Sequence, residues 1–464
     1  MRASPGNLHL NNGLHKAMKP SIDSARELEK RLKKRSGSAR SRRRRIAFIV
    51  SSTLAETTVR IVELAVALVV TLFLFTPVVL WQLITAVPAG KAVFSKRVVY
   101  GISAKPFTIL RFAGLSGRWA DLPLFLELFT GRLALAGTAL KESEAASPNA
   151  EQAYINMVKP GIISLWDIRR SSKIAHEGIQ AIEWEYIFRK HPFYDLMLVL
   201  RALPAMLYTE TIAEPSPVFH LLGLDIDNIT MEEAIAMMQA DIALKKQSSI
   251  FFVNPDCLNK TISDKEYRSV LKNSDHIFPD GVGLIVAGKL MQSPLRENIN
   301  GTDMLPFLCR MAAAQGHSIF LLGGKPGVAQ QAAEAIHRDF GVMIAGTADG
   351  YFNRETENEQ VISSINNSGA AILLVAFGAP LQEKWISRHR SELQPGILMG
   401  VGGLFDFYSG NISRAPRWIR EIGFEWVYRI LQEPARMWRR YVIGNPLFLY
   451  RVMKWKLFTG INNR

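Results

Sequence analysis

Residues 65–87, AVALVVTLFLFTPVVLWQLITAV, contain no Lys, Arg, Asp or Glu. As a helix this run is roughly 35 Å long, enough to cross the hydrocarbon core of a bilayer. A soluble helix of that length would normally show a polar face. Pro77 lies mid-run and removes a backbone donor, so a kink is expected there. A straight span and a bent re-entrant hairpin both fit. Basic residues stand on both sides, Arg42–Arg45 before the run and Lys91, Lys96 and Arg97 after it. By the positive-inside rule this favours the hairpin, which returns both ends to the cytoplasm. The basic stretch is too long, and the small-residue cleavage pattern too absent, for a secretory signal.

Charge extends the argument. The 464-residue chain has a formal net charge of +15. Residues 1–45 carry 14 Lys/Arg against 3 Asp/Glu, and residues 412–464 carry 11 against 3, so the middle is mildly acidic. Two basic ends imply an anionic surface; the adjoining apolar run selects anionic membrane lipid over nucleic acid. A mean hydropathy of +0.07 excludes a polytopic transporter. Cys257 and Cys309 cannot build a disulfide framework or a four-ligand metal site, and are expected as buried reduced thiols of a cytosolic compartment.

The organisation that follows is a basic, mostly disordered cytoplasmic tail (1–45) with a short helix near 21–35, then a membrane-attached α+β segment (46–213). EPSP at 214–217 reads as a linker. Residues 218–411 alternate apolar strands with amphipathic helices, the pattern of an α/β, Rossmann-like parallel sheet covered on both faces. Strands are expected at 249–253, 318–322, 342–346, 371–377 and 396–401, and helices at 231–244 and 327–340. Residues 412–464 interleave Arg with Trp and Tyr, the composition of an interfacial helical appendage, interrupted at Pro434 and Pro446.

Ligands of such a sheet sit at the carboxyl ends of its strands. Those ends supply Asn254, Asp280, Gly323-Gly324, Gln382-Glu383 and Gly402-Gly403. Asp280, in Pro-Asp-Gly, is placed to take a proton from an acceptor hydroxyl; a helix N-cap is the other common task of such an Asp. Gly-Gly before a helix can cradle a diphosphate with backbone N–H groups. There is no Walker A, no GxGxxG, no HExxH and no GxSxG, so ATPase, dehydrogenase, metalloprotease and α/β-hydrolase chemistry find no support, and no cofactor or metal is called for.

The strings LLGLDIDNITMEEA, FPDGVGLIVAGK, NGTDM, FLLGGKPGVAQQAAE, GTADGYF, FGAPLQEKWI, GVGGLFDFYSGNISRAP and FEWVYRILQEPARMWRRY, in this order over about 218–441, resemble the WecG/TagA/CpsF glycosyltransferase family. The resemblance implies a metal-independent, inverting transfer of a sugar, often of N-acetylmannosamine type, from a UDP-sugar to a polyprenyl-diphosphate-linked acceptor at the cytoplasmic membrane face. Carried over by motif, Asp280 would be the catalytic base. Asn254 and Gln382 would line the substrate pocket, and Gly323, Gly324, Gly402 and Gly403 would lie near the nucleotide-sugar. Arg429, Arg436 and Arg439 would belong to an appendage that closes over the site, where guanidinium groups stabilise a departing diphosphate. Phe252 and Asn298 depart from the family's Thr and Arg at those positions.

The N-terminal half resembles the monotopic bacterial phosphoglycosyl transferases. The resemblance rests on Thr76-Pro77 within the apolar run, AVFSKRVVYGISAKPFTILRF, DLPLFLELFTGRLALAG and VKPGIISLWDI. Those enzymes use an Asp-Glu pair just before Leu-Pro; here Leu122-Pro123 follows Ala120-Asp121. Alanine cannot form a phosphosugar intermediate, so the resemblance implies a domain that keeps its fold and anchor without the chemistry. A membrane-attached exopolysaccharide glycosyltransferase is thus the leading expectation. A bifunctional initiating enzyme and a non-catalytic membrane scaffold recruiting polysaccharide-assembly proteins are the alternatives.

Overall fold

The computed structural model describes residues 39–115, 117–141, 157–172, 178–205 and 215–462. The expected tail and its short helix at 21–35 lie outside the described residues. The described residues divide into two compact units, with the boundary between Val69 and Val70. Arg42–Arg45 fall within a helix, Ala39–Val70, and not in a structureless tail.

The apolar run is helical throughout. A π-helical turn, Thr71–Phe75, leads into helix Thr76–Ala86. The wide turn closes just ahead of Pro77: the Thr76 N–H and hydroxyl both donate to the Thr71 carbonyl, at 2.8 Å for the hydroxyl. This accommodates the donor that proline lacks while the backbone stays helical. Leu54–Ala86 is long and apolar enough to cross a membrane, and its most apolar window is almost wholly exposed.

After it come β1 (Phe94–Tyr100) and β2 (Pro106–Phe112), an antiparallel hairpin. Phe75, Phe94 and Phe112 cluster with ring centroids 5.1–6.3 Å apart and tie the hairpin to the helix end. A short parallel pair follows, β3 (Ala134–Gly137) and β4 (Gly161–Ser164), whose backbones approach too closely at Gly137 and Gly161 to admit a Cβ. Helices Leu165–Ser172, Ile179–Arg189 and Pro192–Ala205 pack beside it. Ala120 is buried, and Asp121 is ion-paired with Arg111.

The larger part is an α/β layer structure. A small hairpin, β5 (Val218–Leu221) with β6 (Leu224–Asp227), precedes six parallel strands: β7 (Ser248–Val253), β8 (His276–Pro279), β9 (Ser318–Gly323), β10 (Met343–Ala348), β11 (Ile372–Ala376) and β12 (Ile397–Gly400). Their spatial order is β10-β9-β11-β12-β7-β8. The strand residues alternate between two cores, Phe251, Phe320, Leu373 and Leu398 to one face, Ile250, Ile319, Leu374 and Ile397 to the other. Each such buried side chain contributes roughly 1.5–3 kcal/mol, which accounts for strands that are apolar at nearly every position. The expected strands and the helices Met231–Ala243 and Val328–Phe340 are present within a few residues of their expected bounds.

The C-terminal appendage is a run of short helices, Arg417–Glu421, Glu425–Gln432 and Pro434–Trp438, then a π-helical turn Arg439–Ile443 and helix Gly444–Asn462. The break expected at Pro434 is there, with Glu433 out of helical geometry. Pro446 causes none: the π-helical turn Arg439–Ile443 runs directly into the last helix just ahead of it.

Candidate functional site

β7 passes the chain to helix Pro255–Ser263 and on to β8, while β12 sends it to helix Leu404–Tyr408, which packs against Val328–Phe340. The two connections diverge, leaving a crevice at the carboxyl ends of adjacent strands, the usual ligand position of an open parallel sheet. A cavity of about 590 Å³ occupies it, roofed by the appendage.

Asn254 ends β7 and caps helix Pro255–Ser263 by accepting from the Cys257 N–H at 3.1 Å. Its amide nitrogen donates to Asp280 Oδ2 at 3.3 Å. Asp280 ends β8, and its N–H donates to the Val253 carbonyl at 2.8 Å, locking the two strand ends together. Gly281, and not Asp280, is the N-cap of helix Val282–Leu290, and Asp280 lines the cavity. Enclosure pushes its carboxyl above the ordinary value; the Asn254 hydrogen bond and the charges of Arg440 and Arg429 oppose this, and Asp303 adds to it.

Gln382 is a seam. Its carbonyl oxygen accepts from the Gly378 N–H at 3.1 Å and the Gly402 N–H at 2.9 Å, joining the loops after β11 and β12. Its amide nitrogen donates to Glu383 at 3.0 Å. Glu383 is fully buried, and burial raises its carboxyl to about 7. Gly402 and Gly403 line the cavity with Gln382. Gly323 and Gly324 are not among its lining residues. They stand at the end of β9, where a Cβ on Gly323 would meet the Ala376 carbonyl oxygen at 2.6 Å, and they bond to Ala376 and Gly350.

Arg429, Arg436 and Arg439 line the cavity as a group. The structure adds Arg414, Arg420, Arg440 and Lys260, giving seven cations against four carboxylates, Asp256, Asp280, Asp303 and Glu425. The Nε atoms of Arg429 and Arg440 are buried without a hydrogen-bond acceptor among the described residues. Arg429 stacks on Phe407 at 4.9 Å and Arg440 on Tyr441 at 5.3 Å, which holds their planes. Such donors call for an anionic oxygen ligand. Asp303 accepts from Arg414 at 2.6 Å and Arg420 at 3.1 Å; burial pushes its carboxyl up, but those charges outweigh it and hold it low.

Sequence reasoning missed Arg414, Arg420 and Arg440: the carboxylates that gather them at the cavity, Asp303 for the first two and Asp256 for the third, lie more than a hundred positions away. Asn298, marked in the sequence only as a departure from the family's Arg, accepts with its side-chain oxygen from the Gly281 N–H at 2.6 Å and so braces the turn carrying Asp280. Phe252 lines the cavity and packs on Phe278 at 5.9 Å. Cys257 and Cys309 are free and buried, their thiols raised by burial to about 11 and about 12. Among the described residues no group of three or more His, Cys, Asp or Glu is placed to hold a metal ion.

The sequence model of the glycosyl transferase WecG/TagA/CpsF family matches residues 219–461. An N-acetylglucosaminyldiphosphoundecaprenol N-acetyl-beta-D-mannosaminyltransferase of Bacillus spizizenii is 35% identical over 210 residues, 45% of this chain and 80% of that protein. The Staphylococcus aureus (strain MW2) protein of the same name is 29% identical over 238 residues, 51% of this chain and 92% of its own length. That of Bacillus subtilis (strain 168) is 34% identical over 203 residues, 44% and 77% respectively.

Proposed function

The chain belongs to the WecG/TagA/CpsF family of glycosyl transferases and is a glycosyltransferase, and from that premise we propose that it moves an N-acetylmannosamine-type or related sugar from a UDP-sugar to a polyprenyl-diphosphate-linked acceptor at the cytoplasmic membrane face, in exopolysaccharide or related surface-glycan assembly. The observation that carries this reading is the cavity itself: an enclosed carboxyl, Asp280, at the end of β8 under a roof of arginines, its pKa raised by enclosure where that of Asp303 is held low by Arg414 and Arg420. Asp280 takes the proton of the attacking acceptor hydroxyl. The acceptor oxygen forms its bond to the anomeric carbon as the bond to UDP breaks, with inversion. The charge that develops on the leaving diphosphate falls on guanidinium groups held in place before the reaction. Asn254 orients Asp280, and Gln382 holds the two loops that form the floor.

Two further features support a membrane-bound acceptor. One helix is long and apolar enough to cross a bilayer. The appendage also exposes Trp418, Leu431, Trp438, Tyr450, Leu457 and Phe458 beside its basic residues. On this reading residues 46–213 are a degenerate phosphoglycosyl-transferase-like anchor. Ala120 stands buried at the nucleophile position of the family that half resembles, and Asp121 is engaged by Arg111.

The test is UDP release from a set of UDP-sugars with a polyprenyl-diphosphate N-acetylglucosamine acceptor. Asp280→Asn is expected to lower kcat by about 10²–10⁴-fold with membrane recovery and UDP binding unchanged. Full turnover in that variant would falsify the assignment of the base.

A further inference from the structure

We propose that the N-terminal half completes the transfer cavity as a positioning domain, with Glu421 as the residue through which it acts. The inference rests on the reading of the cavity as the transfer site. Glu421 lies on the five-residue helix Arg417–Glu421 and is 1% exposed. Arg417 of its own helix lies 3.7 Å from its carboxylate, and the two shorter contacts come from the other half of the chain. Arg169, on helix Leu165–Ser172, donates its Nε to Glu421 Oε1 at 2.6 Å, and Arg201, on helix Pro192–Ala205, grips Oε2. Arg169 is itself 2% exposed and donates to Glu185 at 2.8 Å.

The neighbouring residue faces the cavity. Arg420 lines it and binds Asp303, which also holds Arg414. The same short helix therefore has its last residue clamped by two arginines of the N-terminal half and the preceding residue in the cavity wall. Ser172, on the clamping helix, lines the cavity as well. A five-residue helix is too short to hold its own geometry. Its position is set by these ion pairs, and with it the start of helix Glu425–Gln432, which carries Arg429. Removing one member of a buried charge cluster leaves the others uncompensated, so the contact is all-or-none in character. A domain without its ancestral chemistry would thus be retained for more than anchorage: it fixes the roof of another domain's active site.

Hydrogen exchange and steady-state kinetics on the full chain in lipid nanodiscs test this. In Glu421→Gln, amides of residues 417–432 are expected to exchange about tenfold faster while those of β7 and β11 change less than about twofold. kcat should fall by about tenfold, because misplaced guanidiniums weaken the transition state more than the ground state. Glu421→Asp, which keeps the charge, should recover most of both. If Glu421→Gln loosens β7 and β11 as well, Arg201→Lys decides: a local rise of about threefold at 417–432 supports the proposal. Unchanged exchange there, or an equal rise across the sheet in both variants, overturns it. A wild-type chain that turns over no UDP-sugar would refute the proposed function while the exchange experiment still judges the clamp.

Discussion

Asp280 is governed by opposing influences, and their balance is measurable. Enclosure raises its carboxyl; the Asn254 hydrogen bond, Arg440 and Arg429 pull it down. A base works deprotonated, so the acid limb of kcat/KM should lie above the usual Asp value of about 3.9. Replacing Arg440 with Gln removes one lowering charge and should move that limb to higher pH. A limb that stays put in R440Q would mean that Asp280 is not the titrating group. Glu383 gives a second pH signature, in stability. Its carboxyl is raised to about 7 from 4.5 by burial. Between those values the folded chain binds the proton that the unfolded chain releases, so stability is full below pH 4.5 and declines as pH rises to about 7. The shift corresponds to about 3 kcal/mol. Glu183, raised by burial to about 7, adds a decline of the same sign. Glu383→Gln should therefore flatten about half of the loss of thermal stability between pH 5 and pH 8. An unchanged profile would place the ionised form of Glu383 in a better-solvated setting than its burial allows.

At the scale of elements, the strands of the main sheet were readable because parallel strands buried on both faces are apolar at almost every position. β8 was marked only by its end at Asp280 and not by a span, because it is only four residues, opening on His276 and closing on Pro279. The β5–β6 hairpin hides in a run whose turn, at Leu222-Gly223, lacks an Asn-Gly or Asp-Gly signal. Proline was the least reliable mark. Pro77 and Pro446 each follow a π-helical turn, and a helix that widens just before the proline absorbs what an α-helix would register as a break. The turn Pro279-Asp280-Gly281 shows why the family strings alone could not account for the site. Its geometry depends on Asn298, from the segment before helix Gly301–Gln315. Asn298→Ala leaves the Gly281 N–H without its acceptor and should cost about 1–3 kcal/mol in stability. By displacing Asp280 it should also lower kcat by about tenfold. Asn298→Asp keeps an acceptor and should restore the melting temperature; failure to do so would show that the turn is held by other contacts.

For the whole molecule, the sequence showed two basic ends and pointed Arg429, Arg436 and Arg439 of the second toward the site, but not that Arg414, Arg420 and Arg440 join them. Arg414, Arg420, Arg429, Arg436, Arg439 and Arg440 line the cavity, where Asp303 holds the first two and Asp256 stands beside Arg440, both far away in sequence. The last helix, Gly444–Asn462, is apolar on two sides. Phe448 and Val452 are buried in the α/β core, while Tyr450, Met453, Leu457 and Phe458 are exposed beside Lys454. A helix apolar on two sides needs a second apolar medium, and basic residues beside exposed aromatics fit the headgroup region of an anionic bilayer. Because Leu54–Ala86 would retain the chain on the membrane by itself, sedimentation with vesicles is the wrong readout for this second surface. Its role would be to set the height of the cavity above the bilayer, where a polyprenyl-linked acceptor presents its sugar. The double variant Met453→Glu/Leu457→Glu should therefore leave kcat/KM for a water-soluble short-chain acceptor within about twofold of wild type, since neither residue lines the cavity. For the long-chain acceptor in vesicles KM should rise by about tenfold, through the lost burial of two side chains and the cost of bringing two carboxylates to the interface. Equal losses with both acceptors would instead assign the stripe to folding of the appendage, and no loss with either would remove the bilayer contact from the account of this helix.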